Sequence, residues 1–400
     1  MVGPREGNRM HIFFSVGEPS GDQHAAFLIR ELRRRRPDVR CVGFGGEAMR
    51  AAGCEIHYRL TDLAIMGIFV VIPLLWKFWK LAQQARQYIE QQRPDAVILI
   101  DYSGFNWFIA KYAKRAGVRV IFYVPPQVWA WSEYRVSRIR RWVDDVLCVL
   151  PFEPDWYAQR GVKVDYVGHP FFDEVAEHRL DEAFLEDWSS SKYRNVAILP
   201  GSRDSEVRHN FPLMVETIRR LHERHPQVRF LVACYKESHR RFCSTHLMTH
   251  ASRLPVHLFV GKTPEVIEAG DFCLMVSGSI SLEVLARGKP AAVMYWCSWP
   301  MYLIGKALVN VKYASLPNLF LDREVMPEFL FAGGQKKLLT PLTEVLHGWL
   351  SVDDRLAAAR EEMCDLRTRF AQTGATCHAA ELVLQRLTVP DVPLPGAKAA

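Results

Sequence analysis

Short apolar runs rich in β-branched and aromatic residues alternate with helical patterns along nearly the whole chain. HIFFSV (11–16) is followed by a helical pattern over Ala25–Arg36, and CVGFGG (41–46) by one over Glu47–Ala52. AVILI (96–100) leads into a helix at Trp107–Arg115, and VRVIFYV (118–124), DDVLCVL (144–150) and KVDYVG (163–168) continue the series. Strand–helix alternation of this kind predicts a doubly wound parallel sheet. A second series starts at NVAILP (195–200) and continues with a helix from Pro212 to Arg224. Its further strands are VRFLVACY (228–235), VHLFVG (256–261), FCLMVS (272–277) and AAVMYW (291–296). Between the two series, Asp173–Arg194 is polar and has no strand character, which places a domain boundary there. The expected chain is α/β, with two Rossmann-like doubly wound domains (10–180 and 195–340) facing a cleft. C-terminal helices over 341–388 are expected to pack back towards the first domain, ahead of a disordered Pro/Ala-rich tail at 389–400.

Composition narrows the class without changing this picture. Of 400 residues, 49% are apolar and 24% charged, an ordinary globular balance that excludes a disordered, collagen-like or polytopic membrane protein. Fifty-one Lys and Arg stand against 44 Asp and Glu, for a net charge of +7. That excess is too mild to call for nucleic acid, but it suits an anionic small molecule or a membrane surface. Nine scattered cysteines without a C-x-x-C pair read as reduced, mostly buried thiols of a cytoplasmic protein. Met1–Arg9 is polar and runs straight into the first strand, so no signal peptide is expected.

Three glycine-bearing turns follow predicted strands. SVGEPSGDQHA (15–25) has Gly17 and Gly21 ahead of a helix, where backbone can approach a ligand and a helix N-terminus favours an anion. It is neither G-x-G-x-x-G nor a P-loop, and the plain alternative is a βα turn with Ser20 or Asp22 as N-cap. LPGSRDSEV (199–207) repeats the form with Gly201 and Ser202, and adds Arg203, which can pair with a diphosphate. VSGSISLEVLARGKP (276–290) offers Gly278, Ser279 and Ser281 at a helix start, with Glu283 one turn in. Three such turns at strand ends favour a cleft-facing ligand site more than any one does. GKT (261–263) is a decoy, because a P-loop needs a glycine at position 256, which is Val256. No D-x-D, H-E-x-x-H or G-x-S-x-G occurs, so neither a tightly bound metal nor a serine nucleophile has support.

Asp101 ends the apolar strand AVILID and precedes YSG and the aromatic FNWF. A carboxylate there can act as a general base, or simply cap a turn. His24 and His169 follow glycine turns and can bind phosphate or serve as structural hydrogen-bonding histidines. Leu63–Trp76 carries no charge and, with Pro73 inside, is too short to span a bilayer. It is either a buried element or an interfacial patch. In the second case Leu75, Trp76 and Trp79 sit at headgroup depth, with Lys77, Lys80 and Arg86 facing anionic lipid. The basic run Arg30, Arg33–Arg36 reads as a solvated helix face.

Taken together, the motifs resemble the lipid-A-disaccharide synthase family. GEPSGD (17–22), Met66-Gly67, ID-x-x-x-FN (100–106), YV-x-P-x-VWAW (123–131), LPFE (150–153) and VGHP (167–170) resemble its N-terminal half. LPGSR-x-x-EV (199–207), SG-x-x-x-LE (277–283), Y-x-SLPN (313–318) and RE (323–324) resemble its C-terminal half. The order is kept over roughly residues 11 to 330. The resemblance implies a GT-B-type inverting glycosyltransferase that joins UDP-2,3-diacylglucosamine to 2,3-diacylglucosamine 1-phosphate (lipid X), releasing UDP. It also implies action without metal or other cofactor, peripherally on the cytoplasmic face of the inner membrane, with no nucleic-acid partner. Self-association is left open.

Position by position, the resemblance makes Asp101 the base for the acceptor hydroxyl. Arg203, Glu283 and Asn318 go to the donor side, as do Gly201, Ser202, Gly278 and Ser279. Glu18, Ser20, Gly21, Asp22, Met66, Asn106 and His169 go to the acceptor side of the cleft. The chain departs from the family pattern at Gly104, Phe122, Pro125, Gln127 and Ser132, all on the acceptor side, while the donor-side motifs stand. Two alternatives remain from sequence: another GT-B enzyme of UDP-HexNAc (transferase or epimerase), or a non-catalytic UDP-sugar binder at the membrane.

Overall fold

The computed structural model describes residues 9–64, 71–189, 193–309, 311–333 and 336–388; at a few positions, Leu75 and Ile304 among them, it describes the backbone alone. The expected tail at 389–400 and Met66 lie outside these residues. Two compact units emerge, one running to Asp173 and resuming at Thr373, the other Glu174–Gln372.

The first unit is built on β1 (His11–Val16), β2 (Arg40–Gly45), β3 (Glu55–Arg59), β4 (Ala96–Ile100), β5 (Arg119–Tyr123), β6 (Asp145–Cys148) and β7 (Asp165–Tyr166). These form a seven-stranded sheet in the order β3-β2-β1-β4-β5-β6-β7, parallel at every pairing. The second unit carries β8 (Arg194–Leu199), β9 (Val228–Cys234), β10 (Val256–Val260), β11 (Phe272–Val276), β12 (Ala291–Cys297) and β13 (Glu328–Ala332). Its six strands run in the order β10-β9-β8-β11-β12-β13, again all parallel. Burial on both faces explains the continuous apolar strands: every residue of β4 and of β11 is buried. The nine cysteines are free thiols, and only Cys364 and Cys377 reach the surface.

Several elements extend beyond the sequence expectation. Edge strands β3 and β13 were not anticipated, because an edge needs no continuous apolar run; β3 (EIHYR) has no buried residue. The helix expected from Pro212 begins at Asp204 and runs through the proline. Its buried stripe, Val207, Phe211, Met214, Ile218 and Leu221, keeps one helical face throughout. The C-terminal helices also divide differently. Leu339–Ser351 and Asp353–Phe370 belong to the second unit, where Leu342, Leu346 and Trp349 join its core. Only Ala375–Thr388 belongs to the first. Asp173 ties it there, accepting from Gly374 N (2.6 Å) and Thr376 N (2.7 Å). Arg386 adds contacts to Asp145 (3.2 Å) and Asp165 (2.9 Å).

Candidate active site

In each sheet the strand order reverses at one place, between β1 and β4 in the first and between β8 and β11 in the second. A doubly wound sheet opens a crevice at the C-terminal ends of such strands. All three glycine turns and Asp101 fall there: 17–22 after β1, 101–106 after β4, 200–206 after β8 and 277–283 after β11.

In the first unit Asp101 and Tyr102 both take left-handed backbone, at φ 50° and 41°. Outside glycine this costs on the order of 1–3 kcal/mol per residue, so the surroundings must hold it. Asn106 does so. Fully buried, it donates through Nδ2 to the carbonyls of Asp101 (2.9 Å), Ile100 (3.1 Å) and Ser15 (3.2 Å). Its Oδ1 accepts from Ser15 Oγ at 2.6 Å. Glycine at 17 and 21 is required by approach rather than by φ. A Cβ on Gly21 would lie 2.4 Å from Asp101 Oδ2, and one on Gly17 2.2 Å from the Tyr102 ring. Asp101 is thus half-buried against the turn, and desolvation, with a further push from Glu18, lifts its carboxyl from 3.8 to about 7 against the pull of His24.

The other acceptor-side residues separate by role. Asp22 does not cap its own helix, which starts at Pro19. It caps the next one, Glu47–Ala51, accepting from Gly46 N (2.7 Å), Ala48 N (2.9 Å) and Met49 N (3.3 Å). Glu18 and Ser20 stay exposed at the rim of the turn. His169 packs edge-on to His24 with ring centroids 5.7 Å apart. Its Nδ1 accepts from Phe171 N (3.2 Å), and burial holds its pKa well below 6.5. With Nδ1 accepting, the ring's Nε2 is left as its donor.

Two groups escaped the sequence reading as individuals. Glu153 of LPFE is buried and accepts from Trp129 Nε1 (3.1 Å), Val149 N (3.0 Å) and Leu150 N (2.9 Å). Burial nonetheless raises its carboxyl to about 7. It locks VWAW to the turn after β6. Tyr102, stacked on Gly17, is the other; a glutamate after an apolar run was the available signal for the first, and nothing local signalled the second.

In the second unit Gly201 takes φ 115°, and a Cβ there would meet Glu206 at 2.7 Å. Glu206 accepts from Ser202 N (3.1 Å) and Arg203 N (3.2 Å) and pairs with Arg203 Nη1 at 2.8 Å. The Arg203 side chain stays 75% exposed, so its remaining donors face solvent. Gly278 and Ser279 are exposed, and a Cβ on Gly278 meets nothing within 4 Å. Glu283 is buried, its carboxyl raised by burial against the opposing pull of Arg287 at 3.2 Å. Asn318 is not available to a ligand in this arrangement. Fully buried, it donates to Met326 O (2.8 Å) and Glu328 Oε1 (2.7 Å) and accepts from Val325 N and Met326 N, each at 2.8 Å. It positions the segment between its helix and β13.

Of the apolar stretch at 63–76, residues 65–70 lie outside the described residues. Pro73 lies inside a helix, Val71–Gln92. Leu81, Ala82, Ala85 and Ile89 are buried in the core, with Phe78 packed against it. Trp76 (60%) and Trp79 (52%) are exposed and stacked, with centroids 4.9 Å apart. Lys80 Nζ lies 5.5 Å from the Trp76 ring, and Lys77 Nζ 5.6 Å from that of Tyr58. Leu75 is described in backbone only. Among the described residues no helix is long and apolar enough to cross a membrane, and no three His, Cys, Asp or Glu are grouped to hold a metal ion.

Two parallel six- and seven-stranded sheets with glycine turns at their switch points define a GT-B-type α/β protein. Solved structures of that class match nearly the whole chain. UDP-GlcNAc 2-epimerase from Neisseria meningitidis bound to UDP-GlcNAc has TM-score 0.63 and 12% identity, covering 94% of this chain and 99% of its own. The calicheamicin glycosyltransferase CalG4 has TM-score 0.60 and 13% identity, covering 95% and 100%. The lipid-A-disaccharide synthetase family model matches residues 12–385, and the chain belongs to that family. Lipid-A-disaccharide synthase of Myxococcus xanthus (strain DK1622) is 36% identical over 385 residues, 95% of this chain and 98% of its own. Lipid-A-disaccharide synthase 1 of Legionella pneumophila (strain Paris) is 31% identical over 388 residues, 95% and 98% respectively.

Proposed function

We propose that the protein is the hexosyltransferase that makes lipid A disaccharide 1-phosphate, condensing UDP-2,3-diacylglucosamine with 2,3-diacylglucosamine 1-phosphate and releasing UDP. Family membership across both sheets carries this reading. The acceptor hydroxyl gives its proton to Asp101. The oxygen then attacks the donor's C1 on the face opposite UDP, the bond from C1 to the diphosphate oxygen breaks, and the configuration inverts. Support for Asp101 as base comes from its half-buried place against the turn and a carboxyl near neutrality, where proton affinity and ionised fraction are both useful.

The leaving diphosphate gathers charge as the bond breaks. Arg203 and the backbone N–H groups of the 200–203 and 277–280 turns are assigned to meet it, without a metal. Glu206 holds the 200–203 turn in shape by accepting from Ser202 N and Arg203 N, so those two N–H groups are already engaged. Glu283, anchored by Arg287, is assigned to the donor's hydroxyl groups. Both substrates carry acyl chains, and the exposed Trp76–Trp79 stack with Lys77 and Lys80 supports peripheral attachment to the anionic cytoplasmic face of the inner membrane.

Incubation of the purified protein with UDP-2,3-diacylglucosamine and lipid X, followed by mass spectrometry, tests the reading. The expected product is the disaccharide 1-phosphate, with UDP released only when acceptor is present. UDP release without acceptor, or epimerisation of a soluble UDP-HexNAc, would replace it.

A further inference from the structure

Beyond the sites above, the second unit displays a helix that its own fold does not explain. Trp299–Leu308 (WPMYLIGKAL) follows β12 and carries a single charge, Lys306. A helix apolar on every side belongs in a core or against lipid. Here no described residue from Trp299 to Val309 is buried. Met301, Leu303 and Leu308 are 58%, 59% and 57% exposed, with Trp299 and Val309 also at the surface.

The helix is nonetheless firmly attached. Ser298 Oγ accepts from Met301 N at its start (3.4 Å). The Trp299 ring lies over Gly333, where a Cβ would come within 2.2 Å of it, and meets Tyr302 edge-on at 5.6 Å. What projects beyond the Trp299 anchor is an apolar surface.

Its charge setting selects the occupant. Lys306 on the helix and Lys312 a few residues beyond it are the exposed cations, whereas Arg287 and Lys289 are already ion-paired with Glu268 and Glu283. A second copy seated there would set Lys306 against cations of the same sign, whereas an anionic surface complements them. The helix is ~15 Å long, too short to cross a bilayer and suited to lying within its boundary. Trp299 and Tyr302 at one end and lysines at the other are what the headgroup level accommodates.

We infer that Trp299–Leu308, in the second unit, is a further lipid-contacting element besides the Trp76–Trp79 face of the first, and that it lies in the interface of an anionic bilayer. The inference rests on the reading that the substrates are lipid-borne.

Sedimentation with vesicles of phosphatidylglycerol and phosphatidylethanolamine tests it, with phosphatidylcholine vesicles as the uncharged comparison. In a Trp76→Ser/Trp79→Ser background, residual binding to the anionic vesicles is expected. Adding Met301→Ser, Leu303→Ser and Leu308→Ser should lower it about tenfold or more, with UDP affinity and unfolding temperature unchanged. Lys306→Glu, which leaves the apolar face in place, should weaken anionic binding roughly tenfold and spare the weak binding to phosphatidylcholine. The inference is overturned if the background protein has no residual binding or if the added substitutions leave it unchanged. It is also overturned if light scattering shows that they dissolve a dimer while vesicle binding persists. Turnover of the wild type on detergent-dispersed substrates tests the function separately: its absence removes that reading, while the vesicle measurement still decides this one.

Discussion

Asp101→Asn separates the catalytic part of the structure from its architecture. The substitution keeps size and the capacity to hydrogen-bond but removes the proton acceptor. Turnover should fall by ~10²–10⁴, the usual contribution of a positioned base, with UDP affinity unchanged because the nucleotide is assigned to the other unit. The raised carboxyl also makes a stability prediction of definite sign. Its pKa stands at about 7 in the folded chain against 3.8 otherwise, so the folded state holds the proton more tightly. As pH rises through 3.8 the unfolded chain loses its proton first and the fold loses stability. The loss continues to about pH 7 and then levels off. At 1.36 kcal/mol per pH unit, ionisation costs the fold up to ~4 kcal/mol at pH 8. Asparagine carries no such cost. The variant should therefore unfold at a higher temperature than the wild type, with the gap widening from pH 5 to pH 8. UDP release assayed from pH 5.5 to 8.5 should show the wild-type rate falling tenfold per unit below about 7, a limb the variant lacks. Unimpaired turnover, or a stability gap that does not grow with pH, would refute the reasoning.

Three further outcomes test other parts of the molecule. Arg203→Ala should weaken UDP binding by roughly 1.5–3 kcal/mol, the scale of a charge-assisted hydrogen bond, as read by calorimetry; unchanged affinity would leave the turn purely structural. Asn106→Ala strips buried partners from Ser15 and from the left-handed Asp101, and should cost ~3 kcal/mol in denaturant unfolding together with most of the activity. Replacing Leu75, Trp76 and Trp79 together by Ser should raise the soluble fraction of the protein at low salt while preserving fold and UDP binding; an unfolded product would assign that face to the core.

The sheets were legible because fully buried parallel strands advertise themselves as unbroken apolar runs, and the strand–helix rhythm did the rest. The glycine turns were legible as a set, and their common meaning appears once both strand orders reverse beside them. What remained hidden depends on partners distant in sequence. Asp22 looks like a cap for its own helix and serves one 25 residues further on, where Gly46, Ala48 and Met49 supply the N–H groups. Asn318 matches a motif position, yet its whole amide is spent on 325–328. The departures from the family pattern also acquire physical meaning. Phe122 is fully buried, edge-on to Trp107 at 5.7 Å, where a polar ring would need a partner. Gly104 has nothing within 4 Å of a Cβ position, so space does not require glycine there.

The carboxylate of Asp173, gripping Gly374 and Thr376, has a consequence for how the chain comes into being. It makes the second unit an uninterrupted stretch inserted into the first. On a ribosome the inserted unit has all its strands available while the first still lacks its closing helix. Until that helix emerges, Asp173, Asp165 and Asp145 miss the backbone and guanidinium partners that 374–386 supplies, and the small-residue face of Ala375, Ala379 and Ala380 has nothing to cover. The unit carrying Asp101 is thus the last to be completed, although most of it is synthesised first. A premature stop just after residue 372 would spare the inserted unit and leave the base without a finished scaffold.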